Sequence, residues 1–262
     1  MKGRRMLGAI TGDIVGSIYE GHNHKSKDFP FFGQGCTFTD DTVCTIAVAD
    51  CLMNDGDFAD FLRRYVRKHP YRGYGGMFRE WAGSNMGPYN SWGNGSAMRV
   101  SPVAHVARDE QELFDLAEQT SVVTHNHPDA VAGAQATALT MWMAKFGIDV
   151  AAIREEISNR FDYNLSPSVD DIRPSYRFDI SCAGTVPQAI TCALEGTDYE
   201  DAVRNAISIG GDADTIACIT GGIAEVMFGL PDEIAEASLG YLTDDLIEVV
   251  DRFQSTKEET FP

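Results

Sequence analysis

Two short acidic clusters carry most of the chemistry legible in this chain: Thr39-Asp40-Asp41-Thr42 and Asp212-Ala213-Asp214-Thr215. Each groups carboxylates and a hydroxyl within one helical turn, and each precedes an apolar, helix-forming run. Carboxylate and hydroxyl oxygens are hard ligands suited to Mg²⁺ or Mn²⁺. The clusters lie more than half the chain apart, so only folding unites them. The expectation is a binuclear metal site built from both. Either cluster alone fits an ordinary helix cap with acids in the first turn, where the helix dipole favours them. Two such clusters, one of them directly after Gly210-Gly211, shift the balance toward ligands. Paired glycines there predict positive φ or close backbone approach. Helix N-termini do not attract cations, so several carboxylates must converge to hold one, and the bound ions then keep those acids charged.

Three further stretches are candidates. Asn90-Ser91-Trp92-Gly93-Asn94-Gly95-Ser96-Ala97-Met98-Arg99 has glycines that let backbone approach a ligand, and amides that could hold phosphate as a helix opens. Its spacing is neither a Walker loop nor a dinucleotide fingerprint. The plain alternative is a Gly-rich turn capped by Ser96. Trp92 and Tyr89 offer flat surfaces for a base. In Thr124-His125-Asn126-His127-Pro128 the two histidines lack a nearby third zinc ligand. One of them is expected to touch substrate or cap the next helix, with Pro128 in its first turn. Glu20 ends an apolar helical run, where the dipole disfavours an acid. A function or simple surface exposure explains it.

The positions of these residues depend on helices. Apolar spacing predicts helices over Met6–Tyr19, Asp40–Met53, Phe58–Lys68, Gln111–Glu118, Pro128–Lys145 and Val150–Phe161. Others are expected over Val186–Leu194, Tyr199–Ser208, Thr215–Phe228 and Asp244–Phe253. In the second helix Val43, Ile46, Ala47 and Leu52 share one side, with Thr39 as the N-cap. Ser121-Val122-Val123-Thr124 is the best strand candidate and is too isolated for a sheet. Tyr71–Gly95 reads as a long Gly-rich, aromatic loop, a type that is usually functional. With no linker tract or repeat, the expectation is one all-α domain over residues 1–262.

Composition narrows the function. A formal net charge of −18 argues against a nucleic-acid partner bound through a basic surface. An anionic substrate would need locally positive features such as bound cations. The six cysteines form no CxxC pair, and they read as reduced core residues of a cytoplasmic protein. The basic opening Met1–Arg5 is a poor signal peptide because Asp13 and Glu20 break the run after it. No stretch is apolar enough to span a membrane.

Taken together, the motifs resemble the ADP-ribosylglycohydrolase family, of the dinitrogenase reductase-activating glycohydrolase and ADP-ribosyl-acceptor hydrolase type. The matching stretches are Gly12-Asp13 through Glu20-Gly21-His22, Thr39–Thr42, Arg72–Gly75, Ser91–Arg99, Thr124-His125 and Gly211–Thr215, in family order. The resemblance implies an all-α, orthogonal multi-helix domain with two divalent cations, Mg²⁺ or Mn²⁺, at the base of a cleft. It implies Thr39, Asp40, Asp41, Asp212, Asp214 and Thr215 as metal ligands. Glu20, Asp41 and Asp214 become the expected catalytic residues. Gly75, Ser91, Trp92, Gly93, Asn94, Gly95, Ser96, Met98 and His125 become the expected substrate contacts. The implied activity releases ADP-ribose from an ADP-ribosylated protein or small-molecule conjugate, with a monomer expected. The Glu20 stretch looks more like the serine- and O-acetyl-ADP-ribose-cleaving branch than the arginine branch. Rival readings are a crystallin-like or ADP-ribose-binding member without turnover, and a binuclear phosphoester hydrolase. A zinc enzyme fits the oxygen ligands less well.

Overall fold

Gly8, Gly12 and Gly16 recur every four residues and so line one stripe of a helix. A side chain on this stripe would collide with backbone. A Cβ at Gly12 would lie 1.9 Å from the Ala217 carbonyl oxygen, at Gly8 2.5 Å from Gly221 O, and at Gly16 2.6 Å from Ala213 O. Two helices therefore meet main chain to main chain, antiparallel, and this contact is the centre of the molecule. A computed structural model describes residues 5–256; the basic opening up to Arg4 lies outside them.

The described residues form α1 (Leu7–Gly16), α2 (Asp40–Met53), α3 (Phe58–Lys68), α4 (Gly76–Gly83) and α5 (Gly95–Met98). Next come α6 (Ser101–Val106), α7 (Glu110–Val122), α8 (Pro128–Lys145), α9 (Val150–Phe161) and α10 (Val169–Ile172). The chain continues with α11 (Cys182–Leu194), α12 (Tyr199–Ser208), α13 (Ala213–Phe228), α14 (Asp232–Leu239) and α15 (Asp244–Ser255). No sheet forms among the described residues; one isolated bridge joins Gly93 to Ser181. The fold is all-α, as expected.

Helices α1 and α13 are buried along nearly their whole length. That explains their lack of a polar face. Around them the amphipathic helices α3, α12 and α15 turn charged faces outward. Tyr199 of α12 donates to the Gly8 carbonyl at 2.7 Å and ties this layer to α1. All six cysteines are buried and free. Among the described residues no helix is long and apolar enough to cross a membrane.

The expected long helices are present, but α1 ends at Gly16 rather than Tyr19, which leaves Glu20 beyond it in a turn instead of at a helix end. Three further details differ. Tyr71–Gly95 is not all loop: α4 lies inside it, with Phe78, Trp81 and Ala82 buried on one face. Ser121 and Val122 belong to the last turn of α7 rather than to a strand. Short helices α5, α6, α10 and α14 were not predicted, since four to eight residues carry too little periodicity to register.

Gly12→Ala should destabilise the protein by about 1–3 kcal/mol, because the added methyl must force α1 and α13 apart. A thermal melt reads this as a fall of several degrees. An unchanged melting temperature would show that the two helices do not touch as described.

Candidate active site

The antiparallel contact sets the end of α1 beside the start of α13, and Thr39 at the head of α2 joins them. Thr39 is the N-cap of α2, its side chain accepting from Asp41 N at 3.2 Å. Thr39 also donates through Oγ1 to Asp13 Oδ1 at 2.6 Å, and through its backbone N–H to Asp13 Oδ2 at 2.9 Å. Thr42 adds backbone and hydroxyl donors to the same carboxylate. Asp13 thus anchors the acidic turn of α2 onto α1. It is a site residue that sequence reasoning missed. The available signal was an acid within an apolar, Gly- and Ala-rich helix.

The second cluster behaves differently from an ordinary cap. Gly210 and Gly211 take φ values of 72° and 84°, as their pairing predicted, and swing the chain into α13. Asp212 is the N-cap of α13, yet its side chain caps nothing. Its Oδ2 instead accepts from Asn94 Nδ2 at 2.6 Å, and Asn94 also donates to Thr185 Oγ1 at 3.1 Å. Asp214 Oδ1 accepts from the Thr215 N–H at 2.9 Å. The two distant clusters meet at Asp41 Oδ2, which lies 3.4 Å from the hydroxyls of both Thr39 and Thr215.

Oxygens of Asp13, Asp41 and Asp214 all lie within 4.8 Å of one another, as do those of Glu20, Asp212 and Asp214. Asp40 lines the same cleft outside both triads, and its carboxylate sits close under Gly73. None of these six acids forms an ion pair with a Lys or Arg among the described residues. Burial raises the Asp41 carboxyl well above the ordinary range, with Asp13, Asp40 and Asp212 adding to it. Burial likewise raises Asp214, followed by Asp41, Asp212 and Glu20. Asp40 is pushed up to about 8 by burial and then by Asp13. Glu20, at the exposed rim, is raised by partial burial and by Asp212 and Asp13.

This is a site that needs positive charge. The donors are all oxygen, and Asp41 Oδ1 is buried with no hydrogen-bond partner among the described residues. Two oxygens across a Mg²⁺ or Mn²⁺ ion lie about 4 Å apart, which the spacing of the triads allows. The residues present fit divalent cations.

Above the acids opens a cleft of about 510 Å³, within the usual range for small-ligand sites. Every residue expected in the site lines it except Thr39 and Ser96. Thr39 lies just beneath, against Asp41. Ser96 is fully buried, and its hydroxyl donates to the Ala130 carbonyl at 2.8 Å. It neither caps a helix nor faces the cleft. The Ser91–Asn94 loop is pinned to the entry of α11: Asn94 N–H donates to Ile180 O at 2.8 Å and Cys182 N–H to Trp92 O at 3.1 Å. That pinning brings Phe178 and Ile180 to the rim with Trp92 and Met77, all four markedly exposed. Sequence reasoning found only Trp92 of these, because the others converge from α4 and from the segment before α11. The two histidines divide the expected roles: His125 lines the cleft, while His127 caps α8 by accepting from Asp129 N–H at 3.2 Å.

The fold and site define an all-helical protein with a carboxylate-floored cleft whose oxygens could hold a metal ion and whose rim is aromatic and apolar. The chain belongs to the ADP-ribosylglycohydrolase family, whose sequence profile matches residues 5–260. It is similar to ADP-ribosylhydrolase ARH3 of Homo sapiens, with 25% identity over 92% of this chain and 90% of that protein. It is also similar to ADP-ribosylarginine hydrolase Tri1 of Pseudomonas putida (strain GB-1), with 26% identity over 86% of this chain and 70% of that one. Among solved structures, an ADP-ribosylglycohydrolase-related protein complex shares the fold, with a TM-score of 0.69 and 22% identity over 97% of this chain and 95% of that one.

Proposed function

We propose that this protein hydrolyses the glycosidic bond between ADP-ribose and an acceptor, a protein side chain or small molecule, and releases ADP-ribose. The observation that carries this reading is the convergence of six acids, none ion-paired to a Lys or Arg among the described residues, beneath a cleft with an aromatic, apolar rim. The names of the relatives, ADP-ribosylhydrolase and ADP-ribosylarginine hydrolase, agree with it.

Thr39, Asp40, Asp41, Asp212, Asp214 and Thr215 would hold two divalent cations, Mg²⁺ or Mn²⁺, with Asp13 fixing Thr39 and Asn94 fixing Asp212. When bound, such ions supply Lewis-acid chemistry: polarised substrate oxygens and a lowered pKa for water. Asp41 and Asp214 contribute to catalysis as carboxylates that cannot move away. Glu20 stands at the rim within reach of Asp212 and Asp214, where a carboxyl can act as general acid or base. It passes a proton between water and the leaving group as the C1–acceptor bond opens through an oxocarbenium-like state. Asn94 is committed to Asp212 and Ile180, so the pyrophosphate falls to the backbone around Gly95 and to His125. Gly75, Ser91, Gly93 and Met98 shape the walls, and Trp92 stacks on adenine.

The deciding experiment assays a panel of ADP-ribosylated acceptors with and without Mg²⁺ or Mn²⁺. Free ADP-ribose as product supports the proposal. AMP or inorganic phosphate would instead indicate a phosphoester hydrolase, and tight ADP-ribose binding without turnover a binding protein. Trp92→Ala should weaken ADP-ribose binding by about 1–3 kcal/mol, the usual worth of base stacking; calorimetry with equal affinity for both proteins would remove Trp92 from the site.

A further inference from the structure

Arg99 lies fully buried beneath the cleft, and among the described residues no acid pairs with it. Its Nη2 donates to the Thr120 carbonyl at 2.6 Å and to Thr124 Oγ1 at 2.9 Å. Nε and Nη1 carry no hydrogen bond among the described residues. A guanidinium has donors only, so Thr124 Oγ1 is the acceptor in that contact. Among the described residues the hydroxyl's own proton then has one nearby taker, His125 Nδ1 at 2.6 Å. Nδ1 must therefore present its lone pair, which leaves the ring proton on Nε2.

The ring is also held in place. His125 N–H donates to Ser121 O at 2.8 Å, and Ser121 Oγ donates back to His125 O at 2.7 Å. Tyr89 packs alongside, its ring centroid 6.0 Å away. The Nε2 end of the ring lies against the cleft loop. A Cβ at Gly95 would stand 2.9 Å from Nε2, and one at Gly93 3.6 Å. Burial, with the Arg99 charge adding to it, lowers the His125 pKa well below the usual histidine range, so the ring stays neutral.

We propose that Arg99 and Thr124 are positioning residues that fix His125 as an Nε2–H donor aimed at the Gly93–Gly95 edge of the cleft, where it meets an acceptor oxygen of the ligand. The ligand half of this statement rests on the proposed function; the proton's position does not. The assignment also takes His125 out of metal binding, since Nδ1 is occupied and Nε2 has no free lone pair. Together with the capping role of His127, it disposes of a zinc site at the His-x-His pair.

Imidazole ¹⁵N spectra of the full chain test the assignment. In the wild type, His125 should show a protonated Nε2 and an unprotonated Nδ1. Thr124→Ser keeps the hydroxyl and should keep this pattern. Thr124→Val removes the donor; the tautomers should then mix, and ADP-ribose affinity should fall about tenfold, the worth of one well-aligned hydrogen bond. Arg99→Lys should retain the wild-type pattern and Arg99→Met should lose it. A wild-type spectrum with the proton on Nδ1 overturns the proposal without recourse to any variant. An unchanged tautomer in folded Thr124→Val or Arg99→Met overturns that residue's role. A shifted tautomer with unchanged ADP-ribose affinity upholds the positioning and overturns the ligand contact, along with His125's part in the proposed function.

Discussion

Asp214→Asn should lower turnover of an ADP-ribosylated substrate by on the order of 10²–10⁴-fold, while the cation-free protein becomes more stable. The pairing of these outcomes is diagnostic. Asp214 is buried against Asp41, Asp212, Glu20 and Asp13, and the amide of Asn removes one charge from that crowd at nearly constant shape. The folded chain gains by this, while the site loses a carboxylate shared between both triads. Steady-state rates with Mg²⁺ or Mn²⁺, and melts without them, check the two halves. Full activity in the variant would sink the assignment of Asp214. A cation-free melting temperature below the wild type would show that these acids do not repel as their proximity implies.

Stability itself should depend on cations, and in a pH-dependent direction. A carboxylate whose folded pKa is raised binds its proton more tightly in the folded than in the unfolded chain. Its stabilisation is complete below the unfolded value and is lost as pH climbs to the folded value. For Asp40 that window runs from 3.8 to about 8, and Asp41 and Asp214 shift in the same direction. Cation-free protein should therefore melt at progressively lower temperature between roughly pH 4 and 8. Glu112, held below its ordinary value by hydrogen bonds from Arg108, acts in the opposite sense and only in acid. Added Mg²⁺ or Mn²⁺ should reverse the trend, with the largest gain at the alkaline end, where the ligands lose their protons most readily. At 100 times its dissociation constant, one bound ion adds about 2.7 kcal/mol, roughly 5–10 °C in Tm for a chain of this size. A cation-free melting curve that is flat across this window, or a cation gain that shrinks as pH rises, would refute the electrostatic account. Asp214→Asn should show a smaller cation gain at every pH.

Much of this arrangement could be read from the chain, because local rules govern it. Thr39 caps α2 as its hydroxyl and position require. Gly210 and Gly211 take the left-handed backbone that their pairing implied. The acids at both helix starts were recognisable as ligand types. The roles that escaped depend on what a side chain meets after folding. Asp13 looked like an interruption in an apolar run; its importance comes from Thr39 and Thr42, which no local pattern links to it. Asp212 looked like a cap, and Asn94 like part of a phosphate loop. Their mutual hydrogen bond takes both away from those local duties. Arg99 closed a recognisable motif, but that no acid among the described residues pairs with it is visible only once its burial is known. Phe178 and Ile180 reach the rim through backbone bonds to the Trp92 loop, which sequence distance conceals.

The glycine stripe of α1 has a consequence for the reach of the acids. Because Gly12 and Gly16 leave no side chain between α1 and α13, the separation of the backbones that carry Asp13 and Asp214 is dictated by two main chains in touch. Rotamer hops cannot widen that gap, and neither can exchange of one apolar residue for another elsewhere in the interior. Under the proposed cation binding, the main chain would thus gauge ion size, and substitutions at the cleft mouth would alter the choice of ligand without resetting it.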